Sequence, residues 1–144
     1  MVKRIDFKAL SIGVLIFAFC SIAAGFLLAA ALAELSIQTG YELMTDKSEL
    51  ALEFLLAWFS VFWAGYYAQK TARKPGPDHS LLLGAILFAY HLIGTISAGF
   101  DPEGDPFVLN IAYDGSIVLF SLLGGKFARR ERNKKEAVTV DIQK

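Results

Sequence analysis

The chain has 144 residues, of which 55% are hydrophobic and 19% charged, and its formal net charge at pH 7 is zero. That length holds one compact domain. A neutral balance points to no charged partner, and the lone Cys20 excludes an intrachain disulfide.

The distribution of charge is more informative than its sum. Thirteen of the fourteen Lys and Arg residues fall in three segments: Lys3, Arg4 and Lys8; Lys70, Arg73 and Lys74; and Lys126, Arg129, Arg130, Arg132, Lys134, Lys135 and Lys144. Lys47 is the exception, flanked by Glu42, Asp46 and Glu49. Four apolar stretches separate the basic segments from two acidic ones, which is the positive-inside pattern of a multi-pass membrane protein. Basic residues beside spans set topology, so no nucleic-acid partner is expected.

Each apolar stretch is close to the roughly 20 residues that cross a bilayer as a helix. The first covers residues 9–33. Its basic flank and Ala31-Leu32-Ala33 look like a signal peptide, but the apolar run of about 25 residues exceeds the roughly 7–15 of such a segment, so a retained span is expected. Ala18, Ser21, Gly25 and Ala29 lie on one stripe of it. The second span covers 50–68. Asp46 followed by Glu49 predicts a capping box at its start, and its small stripe is Ala57, Ser60, Ala64 and Ala68.

Pro75, Gly76 and Pro77 break the chain before the third span, 81–100, which Asp78 is placed to cap. Gly84, Gly94 and Ala98 share a stripe with His91. The fourth span, 107–127, opens at Asp105-Pro106 and carries Ser121, Gly125 and Ala128 with Asn110 and Asp114 on the same side. Lipid gives helices little hydrophobic reason to associate, so these small residues are the predicted packing contacts. Phe17, Phe19, Phe54, Phe59, Phe62, Phe88 and Phe120 mostly fall off the stripes and are expected to face lipid or fill gaps. Short connections between the last three spans predict an antiparallel, all-α four-helix transmembrane bundle over residues 1–130, with both termini inside. Residues 131–144 are expected to form a mobile cytoplasmic tail. Lys126, Arg129, Arg130 and Arg132 would anchor in anionic headgroups, at up to about 1 kcal/mol each.

Spans two and four end alike, in Gly65-Tyr66-Tyr67-Ala68-Gln69-Lys70 and Gly125-Lys126-Phe127-Ala128-Arg129-Arg130. This is a weak internal repeat of Gly-x-aromatic-Ala-x-basic. It fits duplication, and equally the common chemistry of a span's cytoplasmic exit.

Three ionisable groups lie at membrane depth: Glu53, His91 and Asp114. Each costs at least about 2.5–3.5 kcal/mol there unless it faces the bundle with a partner. Counting back from the turn between spans three and four puts His91 and Asp114 within roughly 3 Å of the same level, so an interhelical pair is predicted. Tyr90 and Tyr113 flank it, and Asn110 lies one turn away. The pair is expected to hold the two helices together, with a proton or substrate pathway as the alternative. Glu53, one turn inside span two, either snorkels to the interface or joins Asp114 in a polar pathway.

Metal, phosphate-loop, nucleophile-elbow and dinucleotide motifs are missing from the sequence, so no metal or cofactor is expected. Asp101, Glu103 and Asp105 alternate in one loop without calcium-loop spacing and read as a solvated acidic turn.

The stretch Ala64-Gly65-Tyr66-Tyr67-Ala68, the following Pro-Gly, His79 to Gly84, and Leu122-Leu123-Gly124-Gly125 ahead of Arg129-Arg130 resemble small uncharacterised four-span bacterial inner-membrane proteins. The resemblance implies a four-span fold in the cytoplasmic membrane and no catalytic residue. Three functions fit these residues. The first is a non-catalytic bundle acting through helix contacts, as a homo-oligomer or accessory subunit. The second is a small proton- or cation-coupled transporter or channel using Glu53, His91 and Asp114. The third is a lipid- or quinone-directed enzyme with His91 and Asp114 as acid and base.

Overall fold

A computed structural model of the chain describes residues 5–39, 46–72, 78–98 and 107–142. Four helices fill them: α1 (Phe7–Thr39), α2 (Asp46–Thr71), α3 (His79–Ala98) and α4 (Phe107–Ile142). All four are long and apolar enough to cross a membrane. The described residues hold no strand, as lipid requires of a chain without a closed barrel. Every predicted span is a helix, with ends shifted by a few residues. The largest shift is in α4, which continues unbroken through the predicted tail to Ile142. Nothing in 128–142 breaks a helix: there is no Gly or Pro, and charged side chains dominate. The Asp105-Pro106 cap lies outside the described residues, as does the acidic turn.

Neighbouring helices in the chain run antiparallel, and alternate helices run parallel. His79 at the start of α3 meets Gln69 near the end of α2, and Trp58 pairs with Ser116 while Tyr66 pairs with Glu131 along parallel α2 and α4. Asp6, Lys70, Asp78 and Arg129 therefore meet at one end, called here the basic end. The helices form a four-helix bundle, but the arrangement is not a closed ring. Among the described residues α2 packs on all three others, α3 likewise, and α1 touches α2 and α3 without reaching α4.

The tightest crossing is between α2 and α4. A Cβ on Gly65 would strike the backbone carbonyl of Ser121, and one on Gly124 would strike that of Phe62. Only glycine lets two backbones approach this closely. α3 closes on α4 in the same way, with Gly125 against Ser80 and Gly84 against Ser121. The two Gly-x-aromatic-Ala-x-basic segments thus do matching work. Gly65 admits α4, Gly125 admits α3, and Ala68 and Ala128 are both buried. Leu10, Val61, Ala64, Ala68, Leu83, Leu87 and Ile117 form the core around these contacts.

Beside the glycines, α2 and α4 share a ladder of rings. Phe54 stacks on Tyr113 at 4.3 Å and Trp58 on Phe120 at 4.9 Å. The Trp58 indole N–H also donates to Ser116 Oγ at 2.7 Å. Of the two expected placements, facing lipid or filling gaps, Phe54 and Phe120 take the second. Phe17 also turns inward, edge-on to His91 with ring centres 6.3 Å apart.

α1 is held mainly by its first turns. Ala9, Leu10 and Gly13 are buried, and a Cβ on Gly13 would lie 2.7 Å from Leu83 Cδ2 and 3.2 Å from the Ala64 carbonyl oxygen. Further along, Gly25 has no neighbour within 4 Å of where its Cβ would be. Phe19, Phe26 and Leu27 are exposed, as lipid-facing side chains are.

Candidate functional site

The bundle brings together the buried polar pair predicted from the sequence. Asp114 is 2% exposed, and His91 Nδ1 lies 3.9 Å from its Oδ1. Thr95, one turn beyond His91 on α3, donates from Oγ1 to Asp114 Oδ2 at 3.1 Å. The carboxylate thus meets a hydroxyl and an imidazole from the facing helix. Phe17, Tyr90 and Tyr113 surround His91 edge-on, with ring centres 5.8–6.3 Å away. The buried carboxylate lies in a low local dielectric, which strengthens each polar contact it makes. Thr95 is absent from the sequence reading. Its signal was the i, i+4 spacing from His91, which puts both on one face.

Glu53 is not part of this group. It is exposed and lines a cleft of about 350 Å³ between α1 and α2, with Ser21, Gly25, Ala29, Leu56 and Ala57. Neither His91 nor Asp114 lines that cleft. Phe54 stacks on Tyr113 of α4, while the adjacent Glu53 lines the cleft against α1. Asn110 lies on α4, but its side chain falls outside the described residues, as does that of Ala98.

Of the predicted packing residues, Ser60, Ala64, Gly84, Ser121 and Gly125 are buried in helix crossings. Ser21 is half-buried at the cleft. Gly25 and Gly94 are corrections: both face open space within the chain. Thr95, beside Gly94, still meets Asp114 of α4, so Gly94 lies off the face that packs.

A second polar cluster, missed by the sequence reading, binds the four helices at the basic end. Asp78 caps α3 by accepting from the Leu81 N–H at 3.3 Å and from Ser80 Oγ at 2.5 Å. Its other oxygen takes a 2.5 Å ion pair from Arg129 of α4. Ser121 Oγ donates to the Ser80 carbonyl at 2.6 Å. Arg129, expected in headgroups, is therefore tied to the start of α3. Lys126 and Arg130 remain exposed, and Arg132 is half-buried.

His79 extends the cluster to α1 and α2. Its N–H donates to Gln69 Oε1 at 3.0 Å, and its Nε2 accepts the Asp6 N–H at 3.0 Å. That acceptor role places the imidazole proton on Nδ1, which is buried without a hydrogen-bond partner among the described residues. Tyr66 OH donates to Glu131 Oε2 at 2.5 Å, and Lys70 Nζ reaches Tyr66 OH at 2.6 Å and Glu131 at 3.5 Å. Among the described residues no group of three or more His, Cys, Asp or Glu is placed to hold a metal ion.

The Asp78 contacts give a pH signature. Partial burial pushes its carboxyl up, but the Ser80 and Arg129 hydrogen bonds, the Leu81 N–H and the Arg129 charge together outweigh it and hold it below its ordinary 3.8. A carboxylate depressed in the folded state stabilises above its unfolded pKa and loses that contribution as pH falls through the folded one. Thermal unfolding in detergent should therefore show stability dropping on the acid side of 3.8. Asp78→Asn should flatten that limb, and Asp78→Ala should cost about 1 kcal/mol at neutral pH through the lost cap. An acid limb identical in wild type and Asp78→Asn would remove this role.

Four alternating helices of membrane length, joined by buried polar contacts and glycine crossings, define the class: the chain is a small multi-pass integral membrane protein. Comparison with protein-family models, with curated proteins and with solved structures finds no match that would narrow the class further.

Proposed function

We propose that the protein is a non-catalytic bundle of the bacterial cytoplasmic membrane, with both termini in the cytoplasm. It works through helix contacts with a second copy or with a larger membrane complex. The observation that carries this reading is the far half of α1. There Ser21, Gly25 and Ala29 line a cleft open to the side, and Gly25 has no neighbour. Small residues at this spacing are what a partner helix needs for close approach. The clustering of basic residues at one end supports the orientation, through the positive-inside rule.

Purification of the full chain in mild detergent, with mass measured by light scattering, tests the reading. The expected species is larger than one chain, or carries a stoichiometric protein partner. Gly25→Leu should return it to a monomer while leaving the thermal midpoint within a few degrees, because that glycine touches nothing inside the chain. A monomeric, partner-free wild type would count against the proposal.

A proton- or cation-coupled path is the second reading. Its support is the buried Asp114 with a titratable histidine beside it. The separation of Glu53 into its own cleft weakens it, because the three groups do not line one route.

A further inference from the structure

On the exposed side of α4, at the basic end, Phe127, Arg130, Glu131 and Lys134 line a pocket of about 330 Å³. Its walls differ in kind. Phe127 is 58% exposed, and its ring lies 6.3 Å from those of both Phe62 and Tyr66. It thus continues the aromatic cluster that α2 builds from Trp63, Tyr66 and Tyr67. Aromatic belts of this kind settle at the headgroup level of a bilayer. Arg130 and Lys134 stand one turn apart on the same face, and neither forms an ion pair among the described residues.

The one acid of the pocket does not cancel them. Glu131 is drawn back onto α2 by the Tyr66 hydroxyl and the Lys70 ammonium. Arg129 is equally engaged, by Asp78. Two cations and a largely exposed aromatic ring therefore line one pocket, the mix of charge and apolar surface that a phosphate joined to an acyl chain needs.

We propose that this pocket binds the phosphate of an anionic phospholipid. The Arg130 guanidinium grips two phosphate oxygens, Lys134 contributes a point charge, and Phe127 packs on the glycerol and upper acyl chain. Lys70 is a positioning residue. It does not touch the lipid, and it keeps the Glu131 charge from opposing the phosphate. The inference rests on membrane insertion and is independent of the oligomer reading. A protein that proves monomeric and partner-free leaves it intact.

The test uses the full chain in nanodiscs of phosphatidylcholine containing a minority of phosphatidylglycerol, with retained lipid read by native mass spectrometry. Wild type should keep one phosphatidylglycerol in preference to phosphatidylcholine. Arg130→Gln and Lys134→Gln should each lower its occupancy about fivefold, the effect of one interfacial basic residue. Arg132→Gln removes the same charge two residues away, on the opposite side of the helix, and should leave occupancy unchanged. Lys70→Gln should weaken retention, and Glu131→Gln should strengthen it. Millimolar inorganic phosphate should not displace the lipid, because it lacks the part that Phe127 holds. Equal loss in Arg132→Gln, or equal retention of phosphatidylcholine, would overturn the site in favour of diffuse surface charge. Displacement by inorganic phosphate would overturn the lipid in favour of a free anion. If Arg130→Gln does not purify, Arg130→Lys reads the same position: it keeps the charge and loses the two-pronged grip, so weakened retention supports the site and wild-type retention overturns it.

Discussion

Gly65→Ala and Gly124→Ala should each lower the stability of the bundle by about 1–3 kcal/mol or more, the usual cost of forcing a methyl group into a filled site. In both positions the added carbon meets a backbone carbonyl, Ser121 for one and Phe62 for the other. A backbone group cannot rotate aside as a side chain can, so α2 and α4 must separate. Separation would also part the Phe54–Tyr113 and Trp58–Phe120 stacks, which share the seam. Gly94→Ala and Gly115→Ala provide the control. All four substitutions carry the same gain in helix propensity, but these two meet open space. They should stay within about 0.5 kcal/mol of wild type, as surface changes do. Denaturant titration in detergent measures all four. Wild-type stability in Gly65→Ala and Gly124→Ala would mean that α2 and α4 do not cross at these residues.

Asp114→Ala should be nearly as damaging, at about 1–3 kcal/mol, because it leaves the Thr95 hydroxyl without its buried acceptor and the His91 imidazole without its facing carboxylate. Asp114→Asn should cost much less, since an amide oxygen still accepts from Thr95. Double-mutant cycles apportion the site. Coupling of about 0.6 kcal/mol, the average for hydrogen bonds between membrane helices, is expected for Asp114 with Thr95. A smaller value is expected with His91, whose nitrogen stands at 3.9 Å. Strict additivity for both pairs would dissolve the cluster. The same variants decide between the two proposed functions. On the helix-contact reading, Asp114→Asn is close to wild type in oligomer state and liposomes show no pH-dependent flux. On the transport reading, flux is present and Asp114→Asn abolishes it.

The site was partly legible because depth can be counted. His91 and Asp114 were matched by stepping back from the turn between the third and fourth helices, and one small stripe per helix gave them a common side. Rotation could not be counted the same way. Glu53 and Phe54 are adjacent, yet Phe54 stacks on Tyr113 of α4 and Glu53 lines the cleft against α1. The ladder along α2 and α4 had a readable spacing in Phe54, Trp58, Phe62 and Tyr66. Hydrophobicity gave no reason to prefer it, because an apolar ring is equally content in lipid and in the bundle. Gly25 and Gly94 failed for a related reason. A small stripe shows where a neighbour could come close, and the partner need not belong to the same chain. The basic-end network was hidden in residues that each had a simpler role: Asp78 as a cap, His79 as its neighbour, and Arg129 and Lys70 as topology signals.

The shallow seating of α1 bears on how the bundle is assembled. The residues that hold it, Ala68, His79 and Leu83, all follow it in the chain. During synthesis α1 enters the bilayer before the helices it docks on, and it must wait there without them. Its mean hydropathy of 2.5, against 1.2 for both α2 and α4, suits that wait. The last helix carries Asp114, Ser121 and two crowded glycines into a membrane where its partners α2 and α3 already stand. The most apolar helix is thus the least packed one, because it has to be stable in lipid before the helices it docks on are made.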